Sequence, residues 1–323
     1  RYLEQPMEEE QKKKLLEFYF QVQNFLNVSD LVDENYEVYT ELAADGRFFL
    51  RLYCVRPAEN LKLRLERGNS TIFFSATLLP VNYYKDLLTG EPDDYAVYAQ
   101  SPFDVEKRAL LIGTDVSSRY TRRGEQEYAK MAESISLTVT ARKGNYLIFF
   151  PSYQLMWDVY ERCEQMKGFT CVCQNPDMKE QEREEFLKQF QEERGTSLAA
   201  FCVMGGIFSE GIDLTGEQLI GAVIVGTGLP QVCLERQVLK EYFDRKGMDG
   251  FAYAYLYPGM NKVLQAAGRV IRTTEDRGVI VLLDERFRSP AYQNLFPREW
   301  YPHTLCRVSE LSGYLESFWK ETS

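Results

Sequence analysis

Between Glu8 and Asn27, apolar Leu15, Leu16, Tyr19, Phe20 and Val22 recur among charges at helical spacing, which predicts a surface helix with one buried stripe. Tyr36 to Ala43 and Arg47 to Val55 flank Asp45-Gly46, a dipeptide suited to a tight turn, so a two-stranded hairpin is expected next. Pro57 to Gly68 reads as a short helix with a glycine stop, and Thr71 to Phe74 as a brief apolar strand. From about Asn82 the pattern changes. Apolar runs at Ala109 to Ile112, Tyr146 to Phe150, Phe169 to Cys173, Leu198 to Val203, Leu219 to Val225 and Val279 to Leu283 have the length of strands. Helical stretches near Arg122 to Val139, Tyr153 to Met166, Met178 to Glu193, Val232 to Lys246 and Lys262 to Arg272 separate them, with Asp177 and Glu180 spaced as a capping box. Strands that are apolar on both faces and alternate with helices predict an α/β fold, a mostly parallel sheet with helices on both faces. Ligands of such sheets bind at loops beyond the carboxyl ends of strands.

Composition narrows the function. The chain has 323 residues and a net charge of −10, the profile of a globular protein, and its length favours two domains. No apolar run approaches the roughly 18 residues of a membrane span, so no membrane partner is expected. Arg1 opens the chain without an initiator Met or a signal segment, so a fragment of a longer polypeptide is expected. Seven cysteines point to free thiols in a reducing cytosol; Cys171 and Cys173 fit a core-facing strand better than a metal site. His303 is the one histidine, which leaves zinc-protease helices and Ser-His-Asp triads without material.

Three segments carry candidate chemistry. In Gln265-Ala-Ala-Gly268-Arg269-Val-Ile-Arg272, spacings of four and three would set Gln265, Arg269 and Arg272 on one helical face. Two guanidiniums on a rigid element suit the charge that develops on a transferring phosphoryl group, although exposed arginines in surface ion pairs would give the same pattern. Gly205-Gly206-Ile-Phe208-Ser209-Glu210-Gly211-Ile-Asp213 follows a strand directly, and its glycines would let backbone groups approach a ligand while Asp213 accepts from a ribose hydroxyl or orients an arginine. A tight structural turn is the other reading of that loop. Ser75-Ala-Thr77 and Pro151-Ser152-Tyr153 place hydroxyls at strand exits, where Ser152 also fits a helix N-cap.

Taken in order, Ser75-Ala-Thr-Leu, Ser101-Pro-Phe103, the Tyr146 to Tyr153 run, Ser209-Glu-Gly-Ile-Asp213, the Gln265 to Arg272 set and Leu283-Asp-Glu-Arg-Phe287 resemble the carboxyl-terminal half of superfamily 2 helicases, and more narrowly the DinG/XPD family of DNA helicases. The resemblance runs from about Arg51 to Arg288 and covers motifs III to VI. It implies a second RecA-like lobe over residues 81–323, after a leader (1–80) from the arch insertion and the end of the first lobe. It further implies an ATP-driven motor that moves 5′ to 3′ along single-stranded DNA, cytoplasmic and nucleoid-associated, with a place in DNA repair. Carried over by position, Arg269 and Arg272 are arginine fingers, with Gln265 and Gly268 in the same motif. Glu210, Gly211 and Asp213 attend the nucleotide, Ser75 and Thr77 couple hydrolysis to lobe closure, and Ser152, Tyr153 and Ser209 lie near DNA.

The departures are equally specific. No Gly-x-x-x-x-Gly-Lys-Ser/Thr loop, no Asp-Glu-x-His box and no four-cysteine set for an iron–sulfur cluster is found in the sequence. ATP and Mg²⁺ are therefore expected to be held mainly by the remaining amino-terminal lobe of the same polypeptide, and this piece to be inactive alone. The acidic balance is offset locally, since Glu106 to Lys143 holds eight basic and five acidic residues and Asn261 to Arg288 six and four. Weak, salt-sensitive DNA binding is expected. One rival is a non-catalytic helicase-fold module that binds a partner protein. RNA in place of DNA is another, since nothing in the chain reads a 2′-hydroxyl. Gly226-Thr-Gly228-Leu-Pro230-Gln231 resembles the start of a dinucleotide fingerprint, but Gln231 replaces the third glycine and Pro230 intrudes.

Overall fold

The structure, a computed structural model, describes residues 8–209 and 214–320. It divides into two compact units, one of residues up to Ala96 with Leu234–Gly250, the other of Val97–Cys233 with the residues from Phe251 onward.

The first unit begins with α1 (Glu9–Ser29) and a hairpin of β1 (Tyr36–Leu42) and β2 (Phe48–Cys54). Gly46 takes φ 82° in the turn, and Asp45 accepts from the Arg47 N–H at 3.1 Å, as the Asp-Gly pair predicts. Helices α2 (Ala58–Leu65) and α3 (Val81–Leu88) follow and pack on each other, with a half-buried ion pair between Arg56, just before α2, and Asp86 of α3. Two expectations are corrected here. The apolar stripe of α1 is not covered: Phe18 and Phe20 stay exposed, and no residue of this helix is buried among the described residues. Nor is Thr71–Phe74 a strand; Ile72 and Phe74 are 82% and 90% exposed, and no described strand lies alongside to complete a ladder.

The second unit is a seven-stranded, entirely parallel sheet. Its strands are β3 (Arg108–Gly113), β4 (Asn145–Phe150), β5 (Phe169–Cys173), β6 (Ser197–Val203), β7 (Gly221–Val225), β8 (Gly278–Leu283) and β9 (Thr304–Cys306), in spatial order β5-β6-β4-β7-β8-β3-β9. Alternation within each strand feeds two cores. Tyr146, Ile148, Phe150, Val223, Val225, Val279 and Val281 face one cluster, into which α4 (Glu125–Ala141), α5 (Tyr153–Glu164) and α10 (Val308–Lys320) send Met131, Ile135, Leu155, Val159, Leu311 and Leu315. Leu147, Phe149, Ala200, Ile224 and Leu282 are buried on the other face, where α8 (Tyr257–Ala267) packs on β7. The remaining helices are α6 (Glu180–Lys188), α7 (Leu234–Arg245), which belongs to the first unit, and the short α9 (Pro290–Gln293).

Helix ends bring two further corrections. The capping contact of α6 comes from Glu182, which accepts from the Lys179 N–H at 2.7 Å, two residues on from the expected Asp177–Glu180 pair. The helix expected at Lys262 to Arg272 spans Tyr257–Ala267 instead. Its start escapes notice because a π-helical turn, Ala252–Leu256, and Pro258 precede its apolar pattern. It stops because the Arg269 and Val270 N–H groups turn to the carbonyls three residues back, while those of Arg272 and Thr273 bond to Asp276.

Candidate functional site

Two stretches of candidate residues approach each other in the second unit. The loop after β6 starts at the carboxyl edge of the sheet with Gly205, at φ 72°. A Cβ there would lie 3.1 Å from Lys262 Cε of α8, so a glycine lets helix and loop close on each other. The same loop ends at the amino edge with Gly216, whose N–H donates to Asp276 Oδ1 at 3.0 Å. The start of this loop thus lies against α8 and its end against the turn behind that helix. Gln265 is half-buried in the last turn of α8, Gly268 is its exposed C-cap, Arg269 is half-buried, and Arg272 is exposed four residues past the cap. The arginines therefore leave the helix: they project from a fixed loop and not, as the spacing predicts, from one helical face. Glu210, Gly211 and Asp213 lie outside the described residues.

Asp276 is the residue that sequence reasoning missed. It is 4% exposed and accepts from the N–H groups of Arg272 (2.6 Å) and Thr273 (2.7 Å), the Thr273 hydroxyl (2.8 Å) and Gly216. Burial pulls its pKa upward, but these donors outweigh burial and hold the carboxyl below its ordinary value of 3.8. Around it, Lys107 donates to the Thr274 carbonyl at 2.7 Å, and the Arg277 guanidinium lies 4.1 Å from the Phe318 ring centroid of α10. A Thr-x-x-Asp set between a helix stop and an apolar strand is the signal that marked the turn.

A second group gathers at the carboxyl edge. Ser152 caps α5 by accepting from the Leu155 N–H at 3.4 Å, and the Tyr153 hydroxyl accepts from Gln174 at 2.9 Å. Ser209 is fully buried; its hydroxyl accepts from the Gly205 N–H at 3.0 Å and donates to the Val203 carbonyl at 3.3 Å, so it serves the shape of its own loop. Beyond β8, the fully buried Asp284 accepts from the Ser118 N–H and hydroxyl (2.9 and 2.7 Å) and from Arg286 Nε (2.7 Å) and Nη2 (2.9 Å). Arg122 joins Glu285 at 3.1 Å and Glu127 at 2.8 Å nearby. Gly226 fits against this node, where a Cβ would lie 2.5 Å from Ser118 Oγ, and a Cβ at Gly228 would lie 2.5 Å from the Gly259 carbonyl. These two glycines are thus required by packing, and no helix opens directly behind them, because α7 begins only at Leu234. In the first unit, the exposed Ser75 and half-buried Thr77 place their hydroxyl oxygens 3.3 Å apart.

The donor set fits phosphate oxygens better than a cation. No group of three or more His, Cys, Asp or Glu side chains placed to hold a metal occurs among the described residues, and none of their helices is long and apolar enough to cross a membrane.

Comparison with known proteins places this geometry. The model of the family described as "Helicase C-terminal domain" matches residues 135–303, more than half of the chain. A relative from Methanocaldococcus jannaschii, named a probable ATP-dependent helicase, is 26% identical over 85% of this chain and 43% of its own length. The regulator of telomere elongation helicase 1 of Mus spretus is 25% identical over 74% of this chain and 22% of its own. The chain thus spans less than half of either relative. Among solved structures, XPD in its apo form superposes with a TM-score of 0.62 at 19% identity, covering 94% of this chain and 63% of that one. A second, titled XPD helicase, also gives 0.62, at 20% identity with 88% and 50% covered, and the two establish the RecA-like fold.

Proposed function

Because the chain belongs to the helicase C-terminal domain family, we propose that it is the second motor lobe of an ATP-dependent DNA helicase that moves 5′ to 3′ on single strands. The observation that carries this reading is that the two described ends of the 205–216 segment lie against α8 and the turn behind it, with Gly205 close to the Lys262 side chain and Gly216 bonded to Asp276. Such an arrangement can bind a nucleotide on one side and a nucleic-acid strand on the other, and it can pass a change at one to the other. In this reading Arg269 and Arg272 reach the γ-phosphate and stabilise its charge in the transition state, and Gln265 and Gly268 set the approach of that loop. Glu210, Gly211 and Asp213 link the nucleotide to the strand. Ser152, Tyr153 and Ser209 border the strand's path, and Ser75 with Thr77 answers lobe closure. A preceding lobe of the same polypeptide supplies the phosphate loop and the acidic residues for Mg²⁺; the metal, when bound, neutralises phosphate charge. DNA gripped through a groove by backbone contacts and stacking needs no overall positive charge, which reconciles the net charge of −10 with this partner.

Tailed duplexes test the polarity. Full-length protein with ATP and Mg²⁺ is expected to unwind a duplex with a 5′ single-stranded tail at least about ten times faster than one with a 3′ tail, a gap of 1.4 kcal/mol in barrier. Equal rates, or faster unwinding from a 3′ tail, would refute it.

A further inference from the structure

Asp276 has more hydrogen bonds than its loop needs for shape alone, and they reach in two directions. Oδ2 accepts from the N–H groups of Arg272 and Thr273, at 2.6 and 2.7 Å, and so fixes the backbone from which Arg272 projects. Oδ1 accepts from the Thr273 hydroxyl and from Gly216 N–H, at 2.8 and 3.0 Å, and so reaches the end of the neighbouring loop. All four donors are neutral, and at 4% exposure the carboxylate has no room to swing to other partners. Gly216 meets it with φ 59°, a left-handed conformation that glycine adopts without penalty. Arg272 is exposed, and its N–H is one of the two backbone donors to Asp276 Oδ2.

We propose that Asp276 is a positioning residue of the motor: it clamps the Arg272 backbone to Gly216, ahead of β7, so that the nucleotide-facing arginine and the segment that leads into β7 move as one body. The proposal rests on the reading of Arg272 as a γ-phosphate contact. Asp276 touches neither nucleotide nor nucleic acid and acts through Arg272. Only Oδ1 reaches Gly216, while Oδ2 takes the N–H groups of Arg272 and Thr273, and this makes asparagine an informative replacement. Its single oxygen can keep the Arg272 and Thr273 N–H bonds, but its NH₂ then faces the Gly216 N–H, donor against donor. Asp276→Asn therefore separates the two loops while it leaves most of the local fold in place.

The test uses full-length protein and reads single-strand-stimulated kcat, KM for ATP and nucleotide-free single-strand Kd for Asp276→Asn, alone and on an Arg272→Lys background. A displacement of about 1 Å at a reacting group costs on the order of 10²-fold, so kcat is expected to fall about 10- to 100-fold. KM and Kd are expected to stay within about 3-fold, since uniform binding is untouched. On the Arg272→Lys background the further loss should shrink to less than about 3-fold, because the two residues act as a unit. Thr273→Ala, which removes one donor and buries no charge, serves if Asp276→Asn does not fold; it should lower kcat by about 3-fold and show the same non-additivity. Normal kcat in both variants, a full-sized loss on the Arg272→Lys background, or a matching loss of nucleotide-free binding would overturn the proposal and leave the arginine-finger reading intact. If Arg272→Ala itself keeps normal turnover, the finger reading fails and the clamp loses its purpose.

Discussion

Arg269→Ala and Arg272→Ala, each made in the full-length protein, are expected to lower single-strand-stimulated ATP turnover by on the order of 10³-fold or more, the usual worth of an arginine finger. Nucleotide-free binding to single-stranded DNA should survive in both. The expectation follows from placement as much as from residue type. Both arginines sit on a loop held at its far end by Asp276, with Lys107 bonded to the Thr274 carbonyl beside it, so the backbone that carries them is fixed, with Arg269 half-buried and Arg272 exposed. A lysine at either position keeps the charge but loses the planar fork that matches phosphate oxygens, and should recover only a small part of the rate. Steady-state kinetics with and without DNA check this, and normal turnover in either alanine variant would remove that residue from the proposed role.

Asp284→Ala should have the largest effect on the stability of the lobe. The carboxylate is fully buried and gathers Ser118 and Arg286 beyond the ends of β3 and β8, and its loss would leave the Arg286 guanidinium, 17% exposed, without its counter-charge. Breaking a buried pair from one side costs about 3–5 kcal/mol, and urea unfolding at neutral pH reads it directly. The node also carries a pH signature. Burial raises the Asp284 pKa, but the hydrogen bonds and charge of Arg286 and the Ser118 contacts outweigh it, and the folded-state value lies below the ordinary 3.8. A depressed carboxylate contributes stability that is fully present above the unfolded value and is lost as pH falls through the folded one. Wild-type stability should therefore drop in acid below about pH 4, and Asp284→Asn should make that drop shallower. A loss under about 1 kcal/mol for the alanine variant would mean that the node is dispensable.

The sheet was legible from sequence because parallel strands buried on both faces read as short, unbroken apolar runs. Phe169–Cys173 has the expected bounds, and Tyr146 to Phe150 misses its strand by one residue. The strand Thr304–Cys306 was not legible, being three residues long behind Pro302 and His303 with no periodicity to reveal it. Thr71–Phe74 and the stripe of α1 failed in the opposite sense: their residues suit burial, but Ile72, Phe74, Tyr19, Phe20 and Val22 stay exposed and no residue of α1 is more than half-buried. For the site, the order of the motifs was readable because each is local. The stop of α8 before Arg269 was not, since it depends on Asp276 taking N–H groups that a longer helix would need, and on a bond to Gly216, 60 residues away in sequence. The Ser118–Asp284–Arg286 node stayed hidden for the same reason, with Ser118 lying 166 residues from Asp284.

The central claim is that this chain completes an ATP site and does not hold one. Its most direct test is single-strand-stimulated ATP hydrolysis by the isolated chain beside that of the full-length protein. Turnover by the full-length protein with silence from the chain is the predicted result. Robust hydrolysis by the chain alone would contradict the placement of the phosphate loop in a preceding lobe, and silence from both would contradict the motor itself and favour a non-catalytic helicase-fold module.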